Sequence, residues 1–210
     1  MSIDIITVFD FVGTFAFAIS GLRLAAAKHF DLFGAFVVGF TTAVGGGTLR
    51  DILLDLPPFW MQTPTYVAIT GLALLFVIVF KKQTVRIDNT FFIFDAIGLG
   101  LFAVVGIEKS LEVGYPAWVA IIMGSITGAF GGILRDIFIN EVPLLFRRDI
   151  YAMACIAGGL LFFILLNMGF SHSICQMSAA VAIFAIRILC VHFGINLPLL
   201  REKNDKTENE

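Results

Sequence analysis

Charged residues are scarce: 16 acidic and 14 basic side chains make up 14% of the 210 residues. A soluble domain carries about a quarter, so a chain with a fully solvated surface is excluded. Cysteine is also rare. Cys155, Cys175 and Cys190 show no CxxC spacing, which excludes a thiolate metal site or redox pair and leaves them as small hydrophobes. His29, His172 and His192 are scattered, with no HExxH pattern, so no metal is expected. The leading segment holds Asp4 and Asp10 but no basic residue before Arg23. That argues against a cleaved signal peptide ending at Ala25-Ala26-Ala27 and for a retained first span. No cofactor and no nucleic-acid partner is expected, and nothing in the composition leaves room for a soluble catalytic domain.

What the chain has in quantity is apolar length: 59% of it is hydrophobic. Seven runs reach or approach spanning length, at Phe9 to Ala27, Leu32 to Leu56, Thr65 to Phe80, Thr90 to Ile107, Ala117 to Ile139, Ile150 to Asn167 and Ser173 to Phe193. The expectation is an all-α integral membrane protein of seven spans. It forms a single domain over residues 1–200, followed by a polar tail over 201–210. Arg23, Lys28, Lys81, Lys82, Arg86, Arg147, Arg148, Arg201, Lys203 and Lys206 fall to one side of such a bundle and only Lys109 to the other. Positive charge is retained on the cytoplasmic side, which puts the N-terminus outside and the C-terminus inside. A bacterial or archaeal plasma membrane is the expected location.

The sequence also repeats itself at an offset of 85 residues. Asp10, Gly13, Phe17, Gly21, Gly39, Thr42, Gly46, Gly47, Leu49, Arg50, Asp51, Pro58 and Tyr66 recur as Asp95, Gly98, Phe102, Gly106, Gly124, Thr127, Gly131, Gly132, Leu134, Arg135, Asp136, Pro143 and Tyr151. Each unit, 9–80 and 90–167, holds three spans, an odd number. The second copy therefore enters from the opposite side, and the halves are expected to be inverted repeats with a seventh helix, 173–193, left over.

The repeated stretches Gly45-Gly46-Gly47-Thr48-Leu49-Arg50-Asp51 and Gly131-Gly132-Ile133-Leu134-Arg135-Asp136 concentrate the chemistry. Consecutive glycines are poor helix formers, so two broken or kinked helices are expected, lining a path at the repeat interface. An intramembrane arginine needs a partner. Adjacent residues on a helix point apart, so Arg50 is assigned to Asp10 and Arg135 to Asp95 rather than to Asp51 and Asp136. Thr41, Thr42, Ser125, Thr127 and Gly128 form a second tier of pathway residues, the hydroxyls for lining water or bonding their own backbone and the glycine, in GxxxG spacing with Gly124 and Gly132, for close packing or for the path. Arg187, alone in the last span, reads as a packing or interface residue. Gly98-Leu99-Gly100-Leu101-Phe102-Ala103 matches a dinucleotide-binding spacing but follows no strand, so that reading fails.

Taken together, the seven spans, the inverted repeats and the GGGTLRD and GGILRD stretches resemble the prokaryotic branch of the trimeric intracellular cation (TRIC) channel family, over residues 9 to about 193. The resemblance implies a homotrimer with one pore per subunit, kinked at Gly45, Gly46 and Gly47 and at Gly131 and Gly132, and permeable to monovalent cations, chiefly potassium. Membrane lipids are the remaining partners. Repeat two has Phe130 where Gly45 would be mirrored. The same bacterial sequence class has been described as a glycine transport family, so a secondary transporter for glycine or another small amino acid stands as the alternative.

Overall fold

The structure is a computed structural model, which describes residues 4–80, 90–146 and 150–195. The basic residues at 81, 82, 86, 147, 148, 201, 203 and 206, and the tail over 201–210, lie outside the described residues. The elements are α1 (Ile5–Ala27), α2 (Leu32–Leu53), α3 (Phe59–Gln62), α4 (Thr65–Val79), α5 (Thr90–Glu112), α6 (Ala117–Phe138), a 3-10 turn (Leu144–Phe146), α7 (Ala152–Asn167) and α8 (His172–Phe193). The protein is all-helical among the described residues. Five helices, α1, α2, α5, α6 and α8, are long and apolar enough to cross a membrane, while α4 and α7 are shorter apolar helices.

The core is formed by α1, α2, α5 and α6, with α4 against α1 and α2, α7 against α6 and α8, and α8 against α5. Helices are apolar all round because lipid and protein interior ask for the same side chains, so small residues decide where backbones touch. A Cβ on Gly21 would lie 2.9 Å from the Cα of Gly39, and one on Gly106 would lie 2.8 Å from the Cα of Gly124. These matched glycines seat α1 on α2 and α5 on α6.

The α2–α6 contact is reciprocal. A Cβ on Gly46 would fall inside the carbonyl oxygen of Thr127, and one on Gly131 inside that of Thr42. Position 46 meets 127 while 42 meets 131, so the two helices cross antiparallel. The crossing lies midway between those positions, and Arg50 and Arg135 each stand about 9 Å beyond it at 1.5 Å per residue, on opposite sides.

Here the structure corrects the expected helix breaks. Helix α2 runs without interruption through Gly45, Gly46 and Gly47, and α6 through Gly131 and Gly132. The glycines cost helix propensity, but the missing side chains let two backbones meet, and that contact holds the helices intact. The breaks come later. Both helices end three residues after the arginine, with Leu56 N–H donating to the Asp51 carbonyl and Glu141 N–H to the Asp136 carbonyl, each at 2.8 Å. Asp55 and Asn140 take the left-handed conformation there, both with φ of 56°, as short polar residues can. The short helix α3 and the 3-10 turn that follow were not expected from the sequence.

Gly46→Ala and Gly131→Ala should each destabilise the protein by about 1–3 kcal/mol through overpacking, read as a lowered unfolding temperature in detergent. Gly71→Ala, where an added Cβ meets nothing within 4 Å, should leave it unchanged or slightly raised.

Candidate functional site: two buried arginine–aspartate clusters

The final turn of α2 carries the first cluster. Arg50 and Asp51 are both almost fully buried. The Arg50 Nε donates to Asp51 Oδ1 at 2.8 Å, and its Nη2 stands 2.7 Å from the same oxygen. Asp51 Oδ2 is turned to the returning chain and accepts the N–H of Phe59 at 2.8 Å. One carboxylate thus neutralises the arginine and starts α3. Phe59 lies under the Arg50 guanidinium, 5.6 Å away, and packs edge-on against Tyr66 at 4.5 Å. Tyr66 donates its hydroxyl to Asp10 Oδ2.

The second cluster is built from the matched positions on α6. Arg135 Nε donates to Asp136 Oδ1 at 2.9 Å, with Nη2 also 2.9 Å from it, and Asp136 Oδ2 accepts the N–H of Leu144 at 2.9 Å. Leu144 is the counterpart of Phe59. Beyond this the wiring differs: Arg135 Nη1 donates to Asp95 Oδ1, and also to Ser20 Oγ on α1 at 2.6 Å. Asp95, Arg135 and Ser20 are wholly buried.

Comparison with known proteins agrees with this architecture. A glycine transporter family model matches the chain twice, over residues 7–82 and 92–167. The inner membrane protein YadS of Escherichia coli K12, a UPF0126 protein, is 37% identical over 195 residues, covering 90% of this chain and 93% of its own. Among solved structures, the TRIC trimeric intracellular cation channel orthologue from Rhodobacter sphaeroides superposes with a TM-score of 0.86 at 34% identity, covering 91% of this chain and 99% of its own. A prokaryotic TRIC channel in 0.5 M KCl superposes at 0.84 and 30%, covering 92% and 98%. The chain belongs to the prokaryotic TRIC channel family. It is an integral membrane protein, and its solved relatives are ion channels rather than enzymes.

In this TRIC-family chain the expected pair of Arg135 with Asp95 forms. The expected pair of Arg50 with Asp10 does not: Asp10 is taken by Tyr66, which satisfies a carboxylate oxygen without requiring Arg50 to leave Asp51. Contrary to expectation, both arginines also pair with the adjacent aspartate, because the helix ends there and the carboxylate is fixed by the backbone of the next segment. The second-tier hydroxyls bond their own helices: Thr41 to the Val37 carbonyl at 2.8 Å, Thr42 to Val38 at 2.6 Å, Ser125 to Ile121 at 2.9 Å and Thr127 to Met123 at 2.7 Å. Gly128 is a packing position, where a Cβ would lie 2.9 Å from the Leu99 carbonyl oxygen.

Ser20, Phe59, Tyr66 and Tyr151 received no role from the sequence. The tyrosines carried a signal, since each recurs at the repeat offset and in step with its aspartate. Ser20 carried none, because position 105 is Val105. A cleft of about 770 Å³ opens elsewhere, between Arg23, His29, Asp31 and Leu74 among others, and neither cluster lines it.

Arg135→Met should cost about 3–5 kcal/mol because it leaves buried carboxylates unpaired. The double variant with Asp95→Leu should cost less than that single change. Asp10→Asn, which keeps an acceptor for Tyr66, should cost about 1 kcal/mol. Unfolding of the purified variants in detergent measures all three.

Proposed function

We propose that this chain forms a monovalent cation channel, permeable to potassium, with one pore in each subunit of a homotrimer. The observation that carries the reading is the charge balance of the two clusters. Arg135 is met by two aspartates, Asp136 and Asp95, and Arg50 is met by Asp51. An arginine in a cation path repels the ion unless it is neutralised; here carboxylate matches guanidinium at the first point and outnumbers it at the second. The likeness to TRIC channels at 30–34% identity supports the same reading.

The path would follow the antiparallel α2–α6 crossing, with Gly45, Gly46, Gly47, Gly131 and Gly132 at its narrowest level and one cluster on each side. The reciprocal contacts, and the double match to one family model, support seven spans arranged as two inverted repeats plus α8. The N-terminus would lie outside, following the bias of basic residues. Each cluster then acts as a gate, closed while its arginine is held across the path and opened when that arginine moves away.

The family model's description keeps transport of glycine as a second reading. Its strongest physical argument was a pair of broken helices offering free amide and carbonyl poles to a zwitterion, and α2 and α6 are continuous. In planar bilayers under a potassium chloride gradient, unitary currents reversing near the potassium potential are expected. Saturable glycine uptake into matched proteoliposomes, with no unitary current, would overturn the channel reading.

A further inference from the structure

The two clusters use matched residues in different ways. In the first, the aspartate is held by a tyrosine and the arginine stays on its neighbour. In the second, the aspartate is held by the arginine, and the tyrosine is idle. Among the described residues, Tyr151 Oη is buried without a hydrogen-bond partner, and so is Asp95 Oδ2. Both residues border Gly132: a Cβ there would lie 2.7 Å from Tyr151 Oη and 3.6 Å from Asp95 Oδ1. A donor and an acceptor buried around one glycine and unjoined is a costly arrangement.

The group packed on Tyr151 comes from α8, outside the repeated part of the chain. Arg187 is wholly buried. Its guanidinium lies 4.6 Å from the centre of the Tyr151 ring and 4.9 Å from that of Phe92, and its Nη1 donates to the Ile150 carbonyl at 3.2 Å. The cation therefore grips both the ring and the backbone just before it, and a stacked guanidinium holds a ring in orientation as well as place. Tyr66 has no such clamp: its ring meets Phe11 and Phe59, and its hydroxyl is bonded to Asp10.

We infer that Arg187 is a positioning residue for the second gate: by clamping Tyr151 it keeps the hydroxyl off Asp95 and so leaves Asp95 to Arg135. Release of the clamp lets Tyr151 donate to Asp95 and frees Arg135 from it, which is the wiring the first cluster already has. Each cluster thus has two states, tyrosine-held and arginine-held, and α8 makes the two clusters unequal. The consequence for flux rests on the channel reading; the exchange of partners does not.

The test is a mutant cycle on the full-length protein, reconstituted for current recording and, in parallel, unfolded in detergent. Tyr151→Phe alone should leave open probability and unfolding temperature essentially unchanged, because the hydroxyl it removes is idle. Tyr66→Phe should lower open probability, since Asp10 becomes available to Arg50. Arg187→Met should raise open probability by about fivefold, the worth of one ordinary hydrogen bond, and Tyr151→Phe added to it should restore the wild-type value. A purely structural Arg187 would show the same defect with or without the Tyr151 hydroxyl, and that result overturns the inference.

Where Arg187→Met does not fold, Arg187→Lys, which loses the planar stack, carries the same cycle. Where neither folds, a change on Tyr151→Phe as large as that on Tyr66→Phe overturns the inference, and no change upholds it. Absence of any cation current in the wild type defeats the channel reading alone. The unfolding cycle still decides the inference: the Tyr151→Phe change should be silent in the wild type and destabilising in Arg187→Met.

Discussion

The guanidinium groups at the ends of α2 and α6 are met by carboxylates inside an apolar bundle, and this pairing organises the molecule. Arg50 and Arg135 are each paired with the next residue in the chain, whose second oxygen caps the segment that follows. Ion pairing and chain reversal are thus one device. The helix can end inside the protein because the aspartate that neutralises the arginine also satisfies the first amide of the returning chain, leaving fewer polar groups facing hydrocarbon. Removing either member of such a pair affects charge and chain path together.

The glycines serve the same device from the other side. By letting α2 and α6 touch backbone to backbone, they bring each arginine to a fixed depth on its own side of the crossing. Glycine runs inside apolar segments can mark either a break or a close contact, and sequence spacing does not separate the two. Propensity favoured a break at Gly45–Gly47. The tertiary contact won, because α6 offers a carbonyl where a side chain would have stood.

The two halves are alike in residues and unlike in bonds. Asp10 and Asp95, Tyr66 and Tyr151, and Arg50 and Arg135 correspond in sequence, yet only the second aspartate holds its arginine. The difference traces to residues outside the repeat correspondence: Ser20 on α1, which shares the Arg135 hydrogen bond, and Arg187 on α8, which stacks on Tyr151.

The sequence by itself determined the class of the molecule, because scarce charge and long apolar runs admit no other solvent than lipid. It also picked out Arg50, Asp51, Asp95, Arg135 and Asp136, the charged residues that the structure buries and pairs. Arg135 with Asp95 was legible because an intramembrane arginine needs a partner. Only the tertiary structure decided the remaining pairings. An arginine side chain is long enough to reach several carboxylates, and which one it takes depends on where the chain turns after the helix, on which tyrosine is free, and on what a neighbouring helix lays across that ring. None of those is a property of local sequence.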